Sequence, residues 1–392
     1  MFGWELPPLI SGGLGAACSG LLKALKQEGV EVVFVVPRVI HGLGYDFANV
    51  VGALGSIQAD EPAQYSIVTS LQPYASDLYG SDILEEVNRF GKAAIQIGQR
   101  QDFDIVHAHD WTTYRAGVLV KQALGKPLLA HVHSIEHDRA PQIPNPQICA
   151  LEGEGLRVAD QVIAVSRYTK QRIVENYGIK PDRVKVIHNG IDKDISARFN
   201  PGENRPKIVL FVGRLTAQKG PQYFLLAAKR ALESDTNMRF VIAGDGDMRC
   251  HLEKMAVELG IAERVLFTGF LSQFDLDRIY TLASVCVVTS VSEPFGLVAL
   301  EAMKHGVPVI LPRHAGVAEV VRNCLRVDYW DIDGIADGII AVVSDRNSLA
   351  QELSRNAAQE VTKLTWNRAA RKLIRIYHGL SAQRAIPRAA RC

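Results

Sequence analysis

The sequence predicts an α/β protein built from two doubly wound domains that face each other across a cleft. The chain has 392 residues, of which 47% are apolar, enough for two cores at about 150 residues per domain. Apolar, β-branched runs alternate along it with amphipathic stretches, the pattern of βαβ winding around a parallel sheet. The alternation stops at a polar segment that begins near residue 190 and then starts again.

The first series of elements contains five continuous apolar runs, which are typical of buried parallel strands. These runs occupy residues 30–36, 105–107, 128–131, 161–164 and 184–187. One helix is predicted at 16–28, ended by Gly29, and another at 167–177. Met1 and Phe2 look like the last residues of an earlier strand, which leaves open whether the natural chain starts upstream of Met1.

The second series follows a linker. Residues 191–206 are polar, rich in glycine, proline and asparagine, and without periodicity. Further strands are predicted at 207–212, 239–243, 265–268, 285–289 and 307–311, with a helix at 348–361. We therefore predict domains at 1–190 and 207–365, the linker 191–206 between them, a C-terminal helix at 366–381 and a disordered tail at 382–392.

The composition excludes several classes of protein. Lys and Arg number 44 against 42 Asp and Glu, so no excess of positive charge indicates a nucleic-acid partner. The six cysteines form no C-x-x-C pair and no zinc-type spacing with histidine, so neither a disulfide framework nor a structural metal is expected. No apolar run is long enough for a membrane span and no signal peptide is recognisable, which predicts a cytoplasmic protein. Peripheral membrane contact stays open.

A glycine-rich turn lies between the first strand and the first helix. Gly12 and Gly13 let a ligand approach the backbone closely, and the helix start favours an anion. The G-x-G-x-x-G fingerprint of dinucleotide binding fails, because the third glycine position is Cys18. Arg38 follows the next strand and suits a 2′-phosphate. The missing fingerprint therefore weakens the interpretation of this turn as an NADP site, but that interpretation stays open. A tight turn without a ligand is the other interpretation.

Two basic residues follow the first strand of the second domain. Arg214 and Lys219 lie in the segment Gly-Arg-Leu-Thr-Ala-Gln-Lys-Gly, and Pro221 suits the first position of the next helix. A guanidinium and an ammonium beside unpaired backbone N–H groups can hold a diphosphate. The alternative is a solvated basic turn.

The most specific pattern is Glu-Pro-Phe-Gly-Leu-Val-Ala-Leu-Glu-Ala-Met, which begins at Glu293. Glu293 is expected in a loop and Glu301 in the following helix, close enough to share a site. Gly296 and Leu297 would offer backbone N–H groups at the helix start. The alternative interpretation is that the acidic residues at the helix start only complement the helix dipole and that Glu301 is a surface glutamate.

Together these motifs resemble the family 4 retaining glycosyltransferases, and within them the glycogen and starch synthase group. The glutamate pattern is similar to the family's E-x7-E motif, and the basic segment to its phosphate-binding turn. His-Ala-His-Asp-Trp from His107, His-Val-His-Ser from His131 and His-Asn-Gly-Ile-Asp from His188 match as well. The resemblance implies the GT-B fold, with two Rossmann-like domains.

The resemblance also implies a role for each candidate residue. The donor would be bound by Gly12, Gly13, Arg214, Lys219, Gly296, Leu297 and Glu301, the last through ribose hydroxyls. Glu293 would face the transferred sugar, with His133 and Asp110 near that sugar on the acceptor side. The expected reaction moves a hexose from an ADP-, UDP- or GDP-sugar to a carbohydrate acceptor such as a glucan, and glucose is the hexose expected. It would retain the anomeric configuration and use no metal or cofactor.

One departure from the family pattern keeps other functions open. Glycogen synthases that use ADP-glucose resemble K-x-G-G-L at the glycine turn, whereas Ile10 occupies the lysine position here. The donor base therefore stays undecided. The acceptor stays undecided as well, with a cell-surface polysaccharide or a lipid-linked acceptor as the alternatives to a glucan. A nucleotide-sugar epimerase of the same fold and an NAD(P) oxidoreductase are the alternatives.

Overall fold

The computed structural model describes residues 1–9, 12–57, 82–192, 207–344 and 348–385. These residues form two compact units. The first unit comprises Met1–His137, Gln142–Gly190 and Trp366–Cys392, and the second comprises Asp138–Pro141 and Ile191–Thr365. Ile10 and Ser11, most of the predicted linker and the last residues of the predicted tail lie outside the described residues.

The strands, in chain order, have the following bounds. In the first unit they are β1 Val33–Val36, β2 Val39–Ile40, β3 Asn49–Gly52, β4 Ser56–Ile57, β5 Val106–His109, β6 Leu128–Val132, β7 Gln161–Ala164 and β8 Val184–Val186. In the second unit they are β9 Lys207–Val212, β10 Met238–Ala243, β11 Val265–Gly269, β12 Val285–Val287, β13 Val309–Leu311 and β14 Leu325–Arg326.

The helices lie before, between and after these strands. The α-helices span Gly13–Gln27, Ile83–Gln99, Trp111–Leu124, Glu136–Arg139, Pro146–Val158, Arg167–Tyr177, Pro221–Leu232, Arg249–Glu258, Gln273–Leu282, Leu297–Lys304, Ile332–Val343, Ser348–Val361 and Trp366–Ala385. Short 3-10 turns occur at Pro181–Arg183, Ala262–Arg264 and Gly316–Glu319. None of these described helices has both the length and the apolar character that a bilayer span requires.

The main sheet of the first unit is parallel and doubly wound. β1 pairs with β3 on one side, and β5, β6, β7 and β8 follow in order on the other. Phe2 joins the two parts, since it bridges both Val35 of β1 and Ala108 of β5. Its N–H donates to the His107 carbonyl at 2.7 Å, and its carbonyl accepts from the His109 N–H at 3.1 Å. The N-terminal residues therefore take the central position of the sheet.

The second unit has a six-stranded parallel sheet of order β11-β10-β9-β12-β13-β14. The strand order reverses between β9 and β12, and in open α/β sheets ligands bind at the carboxyl ends of the strands at such a reversal. The loops that follow β9 and β12 carry the two motifs that are predicted to bind the donor. The fold thus brings residues far apart in sequence to one edge of the sheet.

The C-terminal helix Trp366–Ala385 belongs to the first unit, where it packs on the helix Gly13–Gln27. A Cβ atom at Gly20 would lie 2.2 Å from Nε1 of Trp366, so glycine allows the two helices to approach closely. The helix continues to Ala385, past the predicted boundary at 381, and residues 386–392 lie outside the described part of the chain.

Candidate active site

The loop after β9 is a short turn that presents Lys219. The Lys219 N–H donates to the Thr216 carbonyl at 3.0 Å, and Gly220 then takes a left-handed conformation with φ of 61° before the helix Pro221–Leu232 begins. Lys219 Nζ lies 2.8 Å from Oε2 and 3.0 Å from Oε1 of Glu293, which follows β12. The two predicted site residues therefore form an ion pair at the strand-order reversal.

Glu293 is held in place from several directions. Its residue surface is only 5% exposed, and the Ser290 hydroxyl donates to Oε2 at 2.7 Å, so Lys219 and Ser290 together satisfy the carboxylate. The Glu293 carbonyl also accepts from the Gly316 N–H at 2.9 Å. A cation and a hydroxyl as hydrogen-bonding partners offset the free-energy cost of burying this carboxylate. The loop therefore fixes a negative charge beside a cation.

Gly220 allows this turn to pass close to β12. The Thr289 hydroxyl donates to the Gly220 carbonyl at 2.8 Å, and a Cβ atom on Gly220 would lie 2.3 Å from the Thr289 backbone oxygen. We expect Gly220→Ala to lower the free energy of unfolding by about 2 kcal/mol or more, because left-handed backbone strain and a backbone clash add. Urea unfolding measures the loss. Gly44→Ala, at an open site with no such conformation, is the matched control, and equal stability of the two variants would contradict the prediction.

The helix Leu297–Lys304 starts beside Glu293. Gly296 is its N-cap with φ of 106°, so Gly296 and Leu297 occupy the helix start as the sequence predicted. The N–H groups of a first helical turn have no intrahelical acceptor and favour an anion. Val317 N–H donates to the Phe295 carbonyl at 2.7 Å and steadies the preceding turn.

Glu301 lies on the same helix, in a partly buried position. The Tyr280 hydroxyl donates to its Oε2 at 3.0 Å. Burial raises the pKa of the Glu301 carboxyl, and the hydrogen bond from Tyr280 opposes that shift. Glu301 is thus a fixed acceptor, which suits hydroxyl groups of a ligand. Arg214, in contrast, is exposed on the loop after β9.

The glycine turn of the first unit opens a helix earlier than predicted. The helix begins at Gly13 instead of residue 16, with Gly12 as its N-cap in an extended conformation. No side chain among the residues that the structure describes caps this helix start. Gly13 is exposed and Gly12 is half-buried, so the backbone of the turn is open to an anion. Ile10, on which the choice of donor base was expected to depend, lies outside the described residues.

Asp110 acts on the position of His133. It follows β5 with φ of 58°, the one non-glycine residue among those described with positive φ. Its Oδ1 accepts from the backbone N–H of His133 at 2.6 Å and of Ser134 at 3.4 Å. A carboxylate that bonds two consecutive backbone N–H groups fixes the course of a loop, and strained residues of this kind cluster at functional sites. Asp110 therefore positions the end of β6, where His133 lies.

His133 is one of four histidines on one face of β5 and β6. His109 pairs with His131 in the parallel register, and all four rings stack, with centroids 4.2 to 5.3 Å apart. His133 Nε2 lies 3.0 Å from His109 Nδ1, and His107 Nε2 lies 3.2 Å from His131 Nδ1. Burial lowers the pKa of His133 to about 3, so this imidazole is neutral near pH 7 and can hydrogen-bond a hydroxyl without acting as a cation.

The sequence did not indicate this stack of four histidines as a unit. It places His131 and His133 on one strand face, since they are two residues apart. That His107 and His109 lie on the adjacent strand follows from strand order and register, and the packing of the first helix brings Cys18 near His109. The sequence did contain one signal for this cluster. Each of two predicted strands of the same parallel sheet ends in a His-x-His motif.

Comparison with known proteins agrees with the motifs. Residues 192–360 match the model of Glycosyl transferases group 1, and residues 11–195 match that of Glycosyltransferase Family 4. An uncharacterized glycosyltransferase from Methanocaldococcus jannaschii is 32% identical, with 96% of this chain and 97% of that protein covered. The chain belongs to glycosyltransferase family 4.

More distant relatives extend the comparison. Glycogen synthase from Mycobacterium tuberculosis is 28% identical to this glycosyltransferase, with 98% of this chain and 94% of that protein covered. A crystal structure of Anabaena HepE in complex with UDP and glucose superposes with a TM-score of 0.68 at 19% identity, covering 94% of this chain and 97% of that one. The predicted GT-B fold, with two Rossmann-like domains, is confirmed.

The predicted site residues of this glycosyltransferase form two groups. Lys219 and Glu293 are in direct contact in the second unit, which also carries Arg214, Gly296, Leu297 and Glu301. His133 and Asp110 are in direct contact in the first unit, which also carries Gly12 and Gly13.

Proposed function

We propose that this glycosyltransferase moves a hexose, with glucose as the expected sugar, from a nucleoside-diphosphate sugar to a hydroxyl group of a carbohydrate acceptor. The reaction retains the anomeric configuration and uses no catalytic metal. The observation that carries the proposal is the Lys219–Glu293 ion pair at the point where the strand order reverses. It sets a cation, an anion and a helix start at the edge of the sheet where ligands bind in doubly wound folds.

The leaving diphosphate needs neutralisation, and this site offers it. The Lys219 ammonium has three donors, so it can hold Glu293 and a phosphate oxygen together. Arg214 is exposed on the same loop, and the first turn of the helix Leu297–Lys304 adds backbone N–H groups. Such preorganised donors stabilise developing negative charge at a leaving group. They supply what a divalent cation supplies in other transferases.

Glu293 suits the sugar side of the reaction. Double-displacement retention needs a carboxylate nucleophile on the face opposite the leaving group and a second carboxyl group about 5 Å from it. Lys219 and Ser290 hold Glu293 on the diphosphate loop instead, where it orients the sugar and stabilises developing positive charge. The departing phosphate then takes the acceptor's proton on the same face. We assign to neutral His133 a hydrogen bond to the transferred sugar, with Asp110 as its positioning residue.

The relatives support the donor class and the acceptor class. HepE was crystallised with UDP and glucose, and the Mycobacterium tuberculosis relative is a glycogen synthase. We therefore rank UDP-glucose and ADP-glucose before GDP-sugars as donors, and glucans before other carbohydrates as acceptors. Glu301, whose position is set by Tyr280, is assigned to the ribose hydroxyls.

A donor screen tests the proposed function. ADP-, UDP- and GDP-sugars are incubated with the full chain, with and without malto-oligosaccharides, and nucleotide release and elongated product are both measured. We expect one donor class to give acceptor-dependent release together with product. Release that is independent of any acceptor, or conversion of the donor to an epimer, would contradict transfer.

The proposed reaction predicts insensitivity to chelators. Because Lys219, Arg214 and backbone N–H groups neutralise the diphosphate, we expect turnover in excess EDTA to equal turnover without it. The assay uses enzyme dialysed against the chelator, with magnesium and manganese added back to separate samples. Loss of turnover in EDTA that either metal restores would show that the neutralising charge comes from a divalent cation instead.

A further inference from the structure

Buried nitrogen and sulfur atoms gather in the first unit behind the proposed sugar-binding residue. Cys18 lies on the helix that follows the glycine turn, and it offers a thiol to His109 and His133 at the ends of β5 and β6. One ligand atom of each of the three residues lies within 4.8 Å of the other two. Cys18 and His109 are fully buried, and His133 is partly exposed.

One nitrogen of the buried His109 imidazole makes no hydrogen bond to the described residues. Its Nδ1 is 3.0 Å from His133 Nε2, while its Nε2 is buried with no hydrogen-bond partner among the described residues. If Nδ1 carries the proton, Nε2 presents a lone pair to the interior. If His133 carries it, Nε2 holds an unused N–H. Either way the unsatisfied atom has a desolvation cost of about 1 to 3 kcal/mol, which a bound ligand can relieve.

We propose that Cys18, His109 and His133 form an inhibitory site for a thiolate- and imidazole-binding divalent metal, Zn²⁺ in particular. A thiolate with two imidazoles is a ligand set that zinc accepts, and three protein ligands leave one position for water. Zinc bonds of about 2.0 to 2.3 Å require the ligand atoms to lie about 3.3 to 3.8 Å apart, so shifts within an ångström suffice. The partly exposed His133 gives the ion its entry.

Binding displaces a proton from sulfur. Burial, and then the nearby carboxylates Asp110 and Glu5, raise the pKa of the Cys18 thiol, so the metal-free protein holds a neutral thiol. Zn²⁺ replaces the thiol proton, which leaves to solvent. Magnesium prefers oxygen ligands and should not compete.

Occupation of the site should stop sugar transfer, a consequence that rests on the proposed function, in which His133 hydrogen-bonds the transferred sugar. An ion at His133 takes the imidazole nitrogen and replaces the His109 hydrogen bond that orients the ring. Zinc release would then restore activity. The metal is a regulator in this scheme and takes no part in the chemical step.

The test measures binding separately from activity. Zn²⁺ is titrated into the metal-free full chain against a chromophoric chelator, and Co²⁺ is added to a parallel sample to detect a thiolate-to-metal charge-transfer band. We expect one zinc per chain and a cobalt band. Cys18→Ala should abolish the band and weaken zinc binding at least tenfold, and His133→Gln should weaken it similarly. Cys250→Ala, at an exposed cysteine, is the matched control and should behave as wild type.

Two outcomes decide between the claims. Equal zinc affinity in wild type and Cys18→Ala, or no cobalt band, would overturn the site. If zinc binds through Cys18 but leaves transfer unchanged, the site stands and the role proposed for His133 falls. The expected result is that zinc inhibits wild type and Cys250→Ala but not Cys18→Ala, whose basal turnover should stay within twofold of wild type.

Discussion

Replacing Lys219 with alanine should lower kcat/KM for the nucleotide sugar by about 2 to 4 kcal/mol of transition-state stabilisation, roughly 30- to 1000-fold. The ammonium lies 2.8 Å from Glu293, so its loss removes a cation from the diphosphate and also leaves a buried carboxylate without its ion-pair partner. Donor affinity should fall as well, because the diphosphate is bound before the reaction. Initial rates at varied donor concentration separate kcat from KM.

Lys229→Ala is the matched control for this variant. Lys229 is exposed near the end of the helix Pro221–Leu232, so its replacement removes the same charge from the same unit without touching Glu293. Both proteins should be checked for folding by thermal denaturation. Kinetics of Lys219→Ala that stay within twofold of those of Lys229→Ala would refute the diphosphate role.

Glu293→Gln should lower turnover by a similar 2 to 4 kcal/mol, about 30- to 1000-fold, with less effect on donor affinity than Lys219→Ala has. Glutamine keeps the size of the side chain and can still accept from Ser290, but it removes the charge that we propose stabilises the sugar. Lys219 stays in place to bind the diphosphate. The loss should therefore concentrate in kcat.

A titration with donor and with nucleoside diphosphate measures whether binding survives in Glu293→Gln. Glu263→Gln, on an exposed turn before β11, is the charge-matched control. If Glu293→Gln weakened donor binding as much as Lys219→Ala while kcat stayed the same, Glu293 would be a structural partner of the lysine and no more.

The order of elements was predictable from the sequence because the inner strands of both sheets are largely buried and therefore read as continuous apolar runs. Gln161–Ala164 and Lys207–Val212 have the bounds that their apolar runs predict. The ends of the strands and helices near the site were less predictable. The strand expected at 285–289 ends at Val287, and the Thr289 hydroxyl beyond it donates to the Gly220 carbonyl. The first helix starts at Gly13, although glycine is a poor helix former, because packing of its buried residues, such as Leu21 and Leu22, outweighs the propensity of one terminal residue.

The candidate site was predictable as residues but not as contacts. Motifs named Lys219 and Glu293 separately, one for phosphate and one for sugar, whereas the structure joins them in an ion pair. That pair depends on β9 and β12 being neighbours, which local sequence patterns do not encode. The Asp110 bond to His133 and the position of Cys18 beside His109 depend on long-range packing in the same way.

The stereochemistry of the product tests whether the sugar is transferred on the same face without a covalent intermediate. An α-linked nucleoside-diphosphate glucose is incubated with the chain and a malto-oligosaccharide, and the anomeric proton of the newly attached sugar is followed by NMR from the first turnover. We expect an α-linked product, and no covalent sugar adduct on Glu293 in mass spectra of the enzyme recorded during turnover. A β-linked product, or a sugar trapped on Glu293, would contradict it.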